Sequence, residues 1–187
     1  MSEDYLVKYC APTMAGIKTG SLFSCSFASR EELTSDLKKY NELFAPRGLF
    51  LIPLKIMGNK AMLYLFRRNE LQRDLLQGET SSMLGSFGYT SSNYKSCLSR
   101  LVRRLKVTEG FEFPHEIGLF LSYPPEDVRG FVENHAGGCK LVGYWKVYGD
   151  EKAARRIFNE YDMCTSDYRA RVRKGVSLDR LIVPCAG

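Results

Sequence analysis

The 187-residue chain has two histidines, His115 and His135, and one tryptophan, Trp145, so any imidazole chemistry must use one of two side chains. Six cysteines, at positions 10, 25, 97, 139, 164 and 185, are too few for a disulfide scaffold, and a chain of this length buries a core without staples. They read as thiols in a reducing compartment. No two of them form a CxxC, and neither histidine stands at finger-like or ribbon-like spacing from them, so nothing supports a structural zinc site. The Walker pattern GxxxxGK[ST] and the glycine-rich dinucleotide fingerprint are both missing. Long apolar runs are absent too: each is broken within about ten residues by Pro, Lys, Arg or Asn, short of the roughly 20 that span a bilayer. The opening Met-Ser-Glu-Asp-Tyr carries acids where a secretory signal carries Lys or Arg, which leads us to expect a cytoplasmic protein with no membrane partner.

What is present matches a globular domain, with 44% apolar and 26% charged residues, and the length predicts a single domain over 1–187. The net charge of +6 is uneven. Lys95 to Lys106 holds five cations and no acid, and Thr165 to Arg180 holds five cations against Asp167 and Asp179, whereas Glu109 to Glu133 holds six acids against Arg129 alone. Such asymmetry marks faces that pair internally or an anionic partner.

Periodicity supplies the elements. Cys10 to Gly20 reads as a loop or a short helix capped by Thr13, leading into a strand over Ser21 to Phe27. Ser29 and Glu32 form a capping box for a helix that carries Leu33, Leu37, Tyr40 and Phe44 on one face and stops at Pro46 and Gly48. Leu49 to Met57 and Lys60 to Arg67 flank Gly58-Asn59, the signature of a two-residue β-hairpin turn. The Gly- and Ser-rich stretch 78–93 predicts a mobile segment between two halves, followed by a basic helix from Ser91 or Ser92 to Lys106. Beyond it, strand (Ile117 to Leu121), helix (Pro124 to Asn134), strand (Lys140 to Tyr148) and helix (Asp150 to Tyr161) alternate, with a further helix after Thr165. The expected fold is α/β (α+β), a two- or three-layer domain with a βαβ crossover and a mixed sheet of about five strands under packed helices.

Three blocks, CAPTMAGIKTGSLF at Cys10 to Phe23, FPHEIGLFLSYPPEDVRGF at Phe113 to Phe131 and GYWKVYGD at Gly143 to Asp150, resemble the uncharacterised DUF3793 family of anaerobic Firmicutes. The resemblance implies a bacterial protein of anaerobic metabolism and brings no activity, cofactor or catalytic residue with it. Where this chain has Ser122, the family block carries Gly, which bears on a turn.

The candidate chemistry comes from the residues. Gly16, Lys18, Thr19, Gly20 and Ser21 present backbone amides and an ammonium suited to an anion, although a capped turn needs the same residue types. His115 and Glu116 stand at a predicted strand entrance, where an imidazole beside a carboxylate suits acid–base work or metal ligation, yet neighbours on a strand point to opposite faces. Pro124-Pro125-Glu126-Asp127 reads as a helix start rather than a carboxylate pair. Trp145 with Tyr144 and Tyr148 suggests a stacking platform, but Leu141, Trp145 and Val147 share a face as a core strand does. Cys10, Cys25, Cys139 and Cys164 would make a metal centre only if the fold gathered them. The expected function is a small-ligand or metal-associated binding protein whose pocket joins Cys10, Thr13, Lys18, His115, Glu116 and Cys139, with a small anionic ligand or a metal as partner. The alternative is a nucleic-acid or acidic-protein module using Arg100, Arg103, Arg104 and Lys106.

Overall fold

In the computed structural model of this chain, which describes residues 1–89, 93–107 and 113–185, the first helix starts on a serine. Ser2 Oγ accepts the Tyr5 amide and opens α1 (Glu3–Met14), with Glu3 and Asp4 complementing the positive end of its dipole. The segment at Cys10 therefore belongs to the last turn of a long helix, and Thr13 lies inside it rather than at its cap. Strand β1 (Gly20–Ser26), helix α2 (Arg30–Phe44), a 3-10 turn (Ala45–Arg47), β2 (Leu49–Met57) and β3 (Lys60–Arg67) follow. Ser29 Oγ accepts the Glu32 amide as the capping box requires, while the Glu32 carboxylate reaches back to the Ala28 amide at 2.6 Å. Gly58 takes φ +55 in the first central position of the β2–β3 turn, a conformation that costs a glycine nothing.

All three strands pair antiparallel in the order β1-β3-β2. Pro53 sits on an edge strand, and the register shift between Pro53 and Lys55 marks a bulge there. Ala61, Leu63 and Leu65 of β3 pack with Leu6, Cys10, Met14, Phe44 and Leu51, whereas Tyr64, Phe66 and Phe50 stack on the opposite side of the sheet.

The later elements are α3 (Arg68–Leu76), α4 (Gly78–Ser86), α5 (Tyr94–Val107), α6 (Ile117–Phe120), α7 (Pro125–Glu133), β4 (Leu141–Val142), β5 (Lys146–Val147), α8 (Glu151–Arg173) and α9 (Leu178–Leu181). The fold is α+β, as expected, but its strands form two separate antiparallel sheets and not one mixed sheet. The described residues contain no βαβ crossover. Ile117 to Leu121 is a buried helical turn and its flank: a continuous apolar run of five has no period with which to tell strand from helix. Lys140 to Tyr148 breaks into a hairpin, because Gly143 turns the chain between two-residue strands. Residues 78–86 of the expected mobile segment are helix, with Met83 and Leu84 buried; its residues 90–92, and with them the predicted start of α5, lie outside the described residues. The helices expected on either side of Thr165 are one, α8.

The chain divides into two compact units, Met1–Leu71 with Cys164–Gly187, and Gln72–Met163. In the first, Tyr168, Leu178, Leu181 and Ile182 join the core under the three-stranded sheet. A buried guanidinium holds the end of this unit. Arg67 donates to the carbonyls of Thr13 (3.3 Å), Val183 (2.9 Å) and Pro184 (3.1 Å) and pairs with Glu70 at 3.2 Å. The planar fork suits several fixed acceptors at once, which a lysine would not reach. In the second unit, Trp145, Val147, Ala154 and Tyr161 form a small core with Tyr123, Leu141, Ile157 and Phe158 packed on it. Ser122 takes φ +61, a left-handed conformation that glycine adopts more readily than serine.

Arg67→Met should lower stability by roughly 3 kcal/mol, since it strands the buried Thr13 carbonyl and the Glu70 carboxylate and frees the carbonyls of Val183 and Pro184. Urea denaturation reads the loss, and limited proteolysis should cut first around residues 182–185; an unchanged midpoint would refute the anchoring role.

Candidate functional site

Asp127 lies in the first turn of α7, and Phe131 follows one helical turn later on the same face. The carboxylate is 3% exposed and collects three donors: Trp145 Nε1 at 2.6 Å on one oxygen, and the Tyr148 and Gly149 amides at 2.7 and 2.8 Å on the other. It locks the β4–β5 hairpin onto α7 and sets the indole ring. Trp145 then stacks on Tyr123 (centroids 4.9 Å apart) and meets Phe158 edge-on (4.5 Å), in the offset and edge geometries that aromatic quadrupoles favour. The Tyr123 hydroxyl donates to the Tyr144 carbonyl at 3.0 Å, and burial pushes its pKa up to about 12, which keeps it neutral. Close approach is built into the backbone: a side chain at Gly143 would run into Phe158, and one at Gly130 into Tyr148.

Between α6, α7 and the hairpin these residues leave a cleft of about 280 Å³. Ile117, Val128, Phe131, Val142 and Trp145 supply apolar walls, and His115 and Lys146 add polar groups. The His115 ring lies 4.8 Å from the Phe131 ring. Lys146 Nζ sits 5.7 Å from the same ring and donates to the Ala136 carbonyl at 2.7 Å. His135 and Ala136 both take positive φ (+46 and +63), so the carbonyl that receives Lys146 stands on a strained turn.

The expected pocket residues fall into two separate groups. Cys10, Thr13 and Lys18 belong to the first unit and His115, Glu116 and Cys139 to the second. Cys10 is fully buried in the first unit's apolar core, which pushes its thiol pKa up, and Thr13 Oγ1 lies 2.8 Å from Ser21 Oγ. Burial drives the Lys18 pKa down to about 8, partly opposed by the Cys10 thiol. His115 lines the cleft, but adjacent Glu116 does not: it is 1% exposed, accepts the Tyr89 hydroxyl at 2.9 Å and forms an ion pair with Arg104, whose Nε lies 2.6 Å away. Burial first, and then the Glu116 carboxylate, raise the Tyr89 pKa. Cys139 is half-buried and outside the lining.

Six free thiols are present, and among the described residues no group of three or more His, Cys, Asp or Glu side chains is placed to hold a metal ion. On α5, Arg104 pairs with Glu116, and Arg100 donates to the Phe87 carbonyl at 3.2 Å and lies over Tyr89. Arg103 and Lys106 are exposed. Of the four expected anion-binding cations, then, two are engaged within the second unit. Among the described residues, no helix is long and apolar enough to cross a membrane. The residues that sequence reasoning missed as pocket formers are Asp127, Phe131 and Lys146. Asp127 and Phe131 stand at helical spacing after Pro124-Pro125, but only the fold brings them to Trp145. A family model, DUF3793, described as a protein of unknown function, matches residues 6–182. No curated protein and no solved structure matches the chain.

Asp127→Asn puts an amide where two donor sets converge, so one N–H must face another. It should cost roughly 2–4 kcal/mol and shift Trp145 emission to the red; native emission with unchanged stability would refute the clasp.

Lys18 yields a pH-dependent outcome. Its ammonium ordinarily loses its proton near 10.5 and in the folded protein near 8, so between those values the unfolded chain binds more protons than the folded one. The penalty is full below pH 8 and is released as pH rises to 10.5; the raised Cys10 thiol works in the opposite sense above its ordinary value of 9.0. Lys18→Met should therefore be more stable than the parent at pH 7, by roughly 2–3 kcal/mol, with the advantage shrinking by pH 10. Urea midpoints at the two pH values check this, and a gap that widens with pH would contradict it.

Proposed function

The chain belongs to the DUF3793 family, whose description carries no activity, and we propose from the geometry of the second unit that it is a small-ligand-binding protein. The observation that carries this reading is the convergence, on one 280 Å³ cleft, of aromatic walls and two basic side chains around a clasp that fixes their positions. Ligand sites have this composition: mostly apolar lining with a few placed polar groups. The volume suits a single-ring compound and is too small to enclose a nucleotide. Asp127 is committed to three protein donors and is no base for a substrate.

The lone tryptophan stands in the cleft wall, so its indole N–H resonance and its emission respond to occupancy. A library of single-ring compounds should contain members that shift both signals. Phe131→Ala, which removes a half-buried wall, should weaken each such compound at least tenfold while leaving the circular dichroism spectrum intact. A library in which nothing moves either signal would end the ligand reading.

A further inference from the structure

We propose that the cleft selects a small aromatic monocarboxylate, an inference that rests on the cleft being a ligand site and adds the ligand's charge and shape. Three rings set the shape. Phe131, Trp145 and Tyr123 all line the space, and their polarised rings favour an aromatic ring packed against them over a branched aliphatic body.

The charge follows from what each polar group has left to offer. Asp127 is the acid in the lining, and it is almost wholly shielded, with both oxygens already accepting protein N–H groups. A ligand cation entering the cleft would find no carboxylate open to it among the described residues and would stand beside the Lys146 ammonium. Lys146 spends one of its three N–H bonds on the Ala136 carbonyl, and no described residue forms an ion pair with it. Two N–H bonds remain for a ligand. That ammonium is held, not wandering: the Ala136 carbonyl fixes its tip, and the Phe131 face lies along its path at 5.7 Å. His115, whose ring is tilted against Phe131 at 4.8 Å and also lines the cleft, has a ring N–H to offer a second oxygen. The Lys146 ammonium and the His115 imidazole match the two oxygens of a carboxylate, and in an apolar surround that pairing is strengthened by the low local dielectric. A phosphate monoester would bring a second charge, and among the described residues of the lining Lys146 is the one Lys or Arg to meet it.

The test titrates the full chain with phenylacetate, benzyl alcohol, benzylamine and phenyl phosphate at pH 7, reading Trp145 emission excited at the red edge together with its indole N–H resonance. Phenylacetate should bind at least tenfold tighter than each of the other three. Lys146→Met should bring phenylacetate down to the benzyl alcohol level and leave benzyl alcohol within about twofold, and Lys146→Arg should restore most of the preference. Benzyl alcohol or benzylamine binding as tightly as phenylacetate overturns the anion, and phenyl phosphate binding more tightly overturns the carboxylate; both outcomes leave a ligand site standing. Silence from all four probes and from the wider single-ring library removes the site itself. If Lys146→Met fails to fold, the order of the four affinities on the parent protein decides.

Discussion

The second unit depends on a carboxylate that water barely reaches. An isolated charge at 3% exposure would cost several kcal/mol, and Asp127 avoids that cost through three short N–H donors from a segment about twenty residues away in sequence. The same bonds that satisfy the acid join α7 to the β4–β5 hairpin, whose two-residue strands have too few ladder bonds to hold by themselves. The indole is thereby fixed at one end by its N–H and along its face by Tyr123 and Phe158. Structure and site are one device here: the wall of the cleft is also the roof of the small core.

A comparable arrangement recurs where charge is buried elsewhere in the molecule. Arg67 in the first unit and Glu116 in the second are each nearly inaccessible, and each is met by several partners of fixed geometry. In each case a single charged group ties together segments that the chain separates: Arg67 joins α1 to residues 183–184, and Glu116 joins α5 to the turn before α6. Removing one partner leaves a group that neither solvent nor protein satisfies, so these positions are sensitive out of proportion to the number of atoms involved.

Elements with strong local chemistry were legible from residues alone. The Ser29–Glu32 cap, the Gly58-Asn59 hairpin, the helix start at Pro124-Pro125 and the apolar stripe of α5 all follow from rules acting over a few residues. Ile117 to Leu121 was not legible, because an uninterrupted apolar run satisfies a buried strand and a buried helical turn alike. The segment after Gly78 misled through its serines and glycines, whose weak helix propensity is overridden by burial of Met83 and Leu84. Of the expected pocket, only His115 lines the cleft; Lys18 and Cys10 attracted notice as polar and reactive groups but are interior parts of another unit. The acid of the Pro-Pro-Glu-Asp start could be read as a dipole complement and as nothing more, since its partners lie beyond any local window.

The first unit is interrupted: its sheet is complete by residue 67, yet the carbonyls that Arg67 grips lie at 183 and 184. During synthesis the sheet therefore leaves the ribosome long before its last clasping segment does, while the contiguous stretch from Gln72 to Met163 is translated whole in the interval. Vectorial production thus delivers the inserted unit whole before the segment whose carbonyls meet the Arg67 guanidinium.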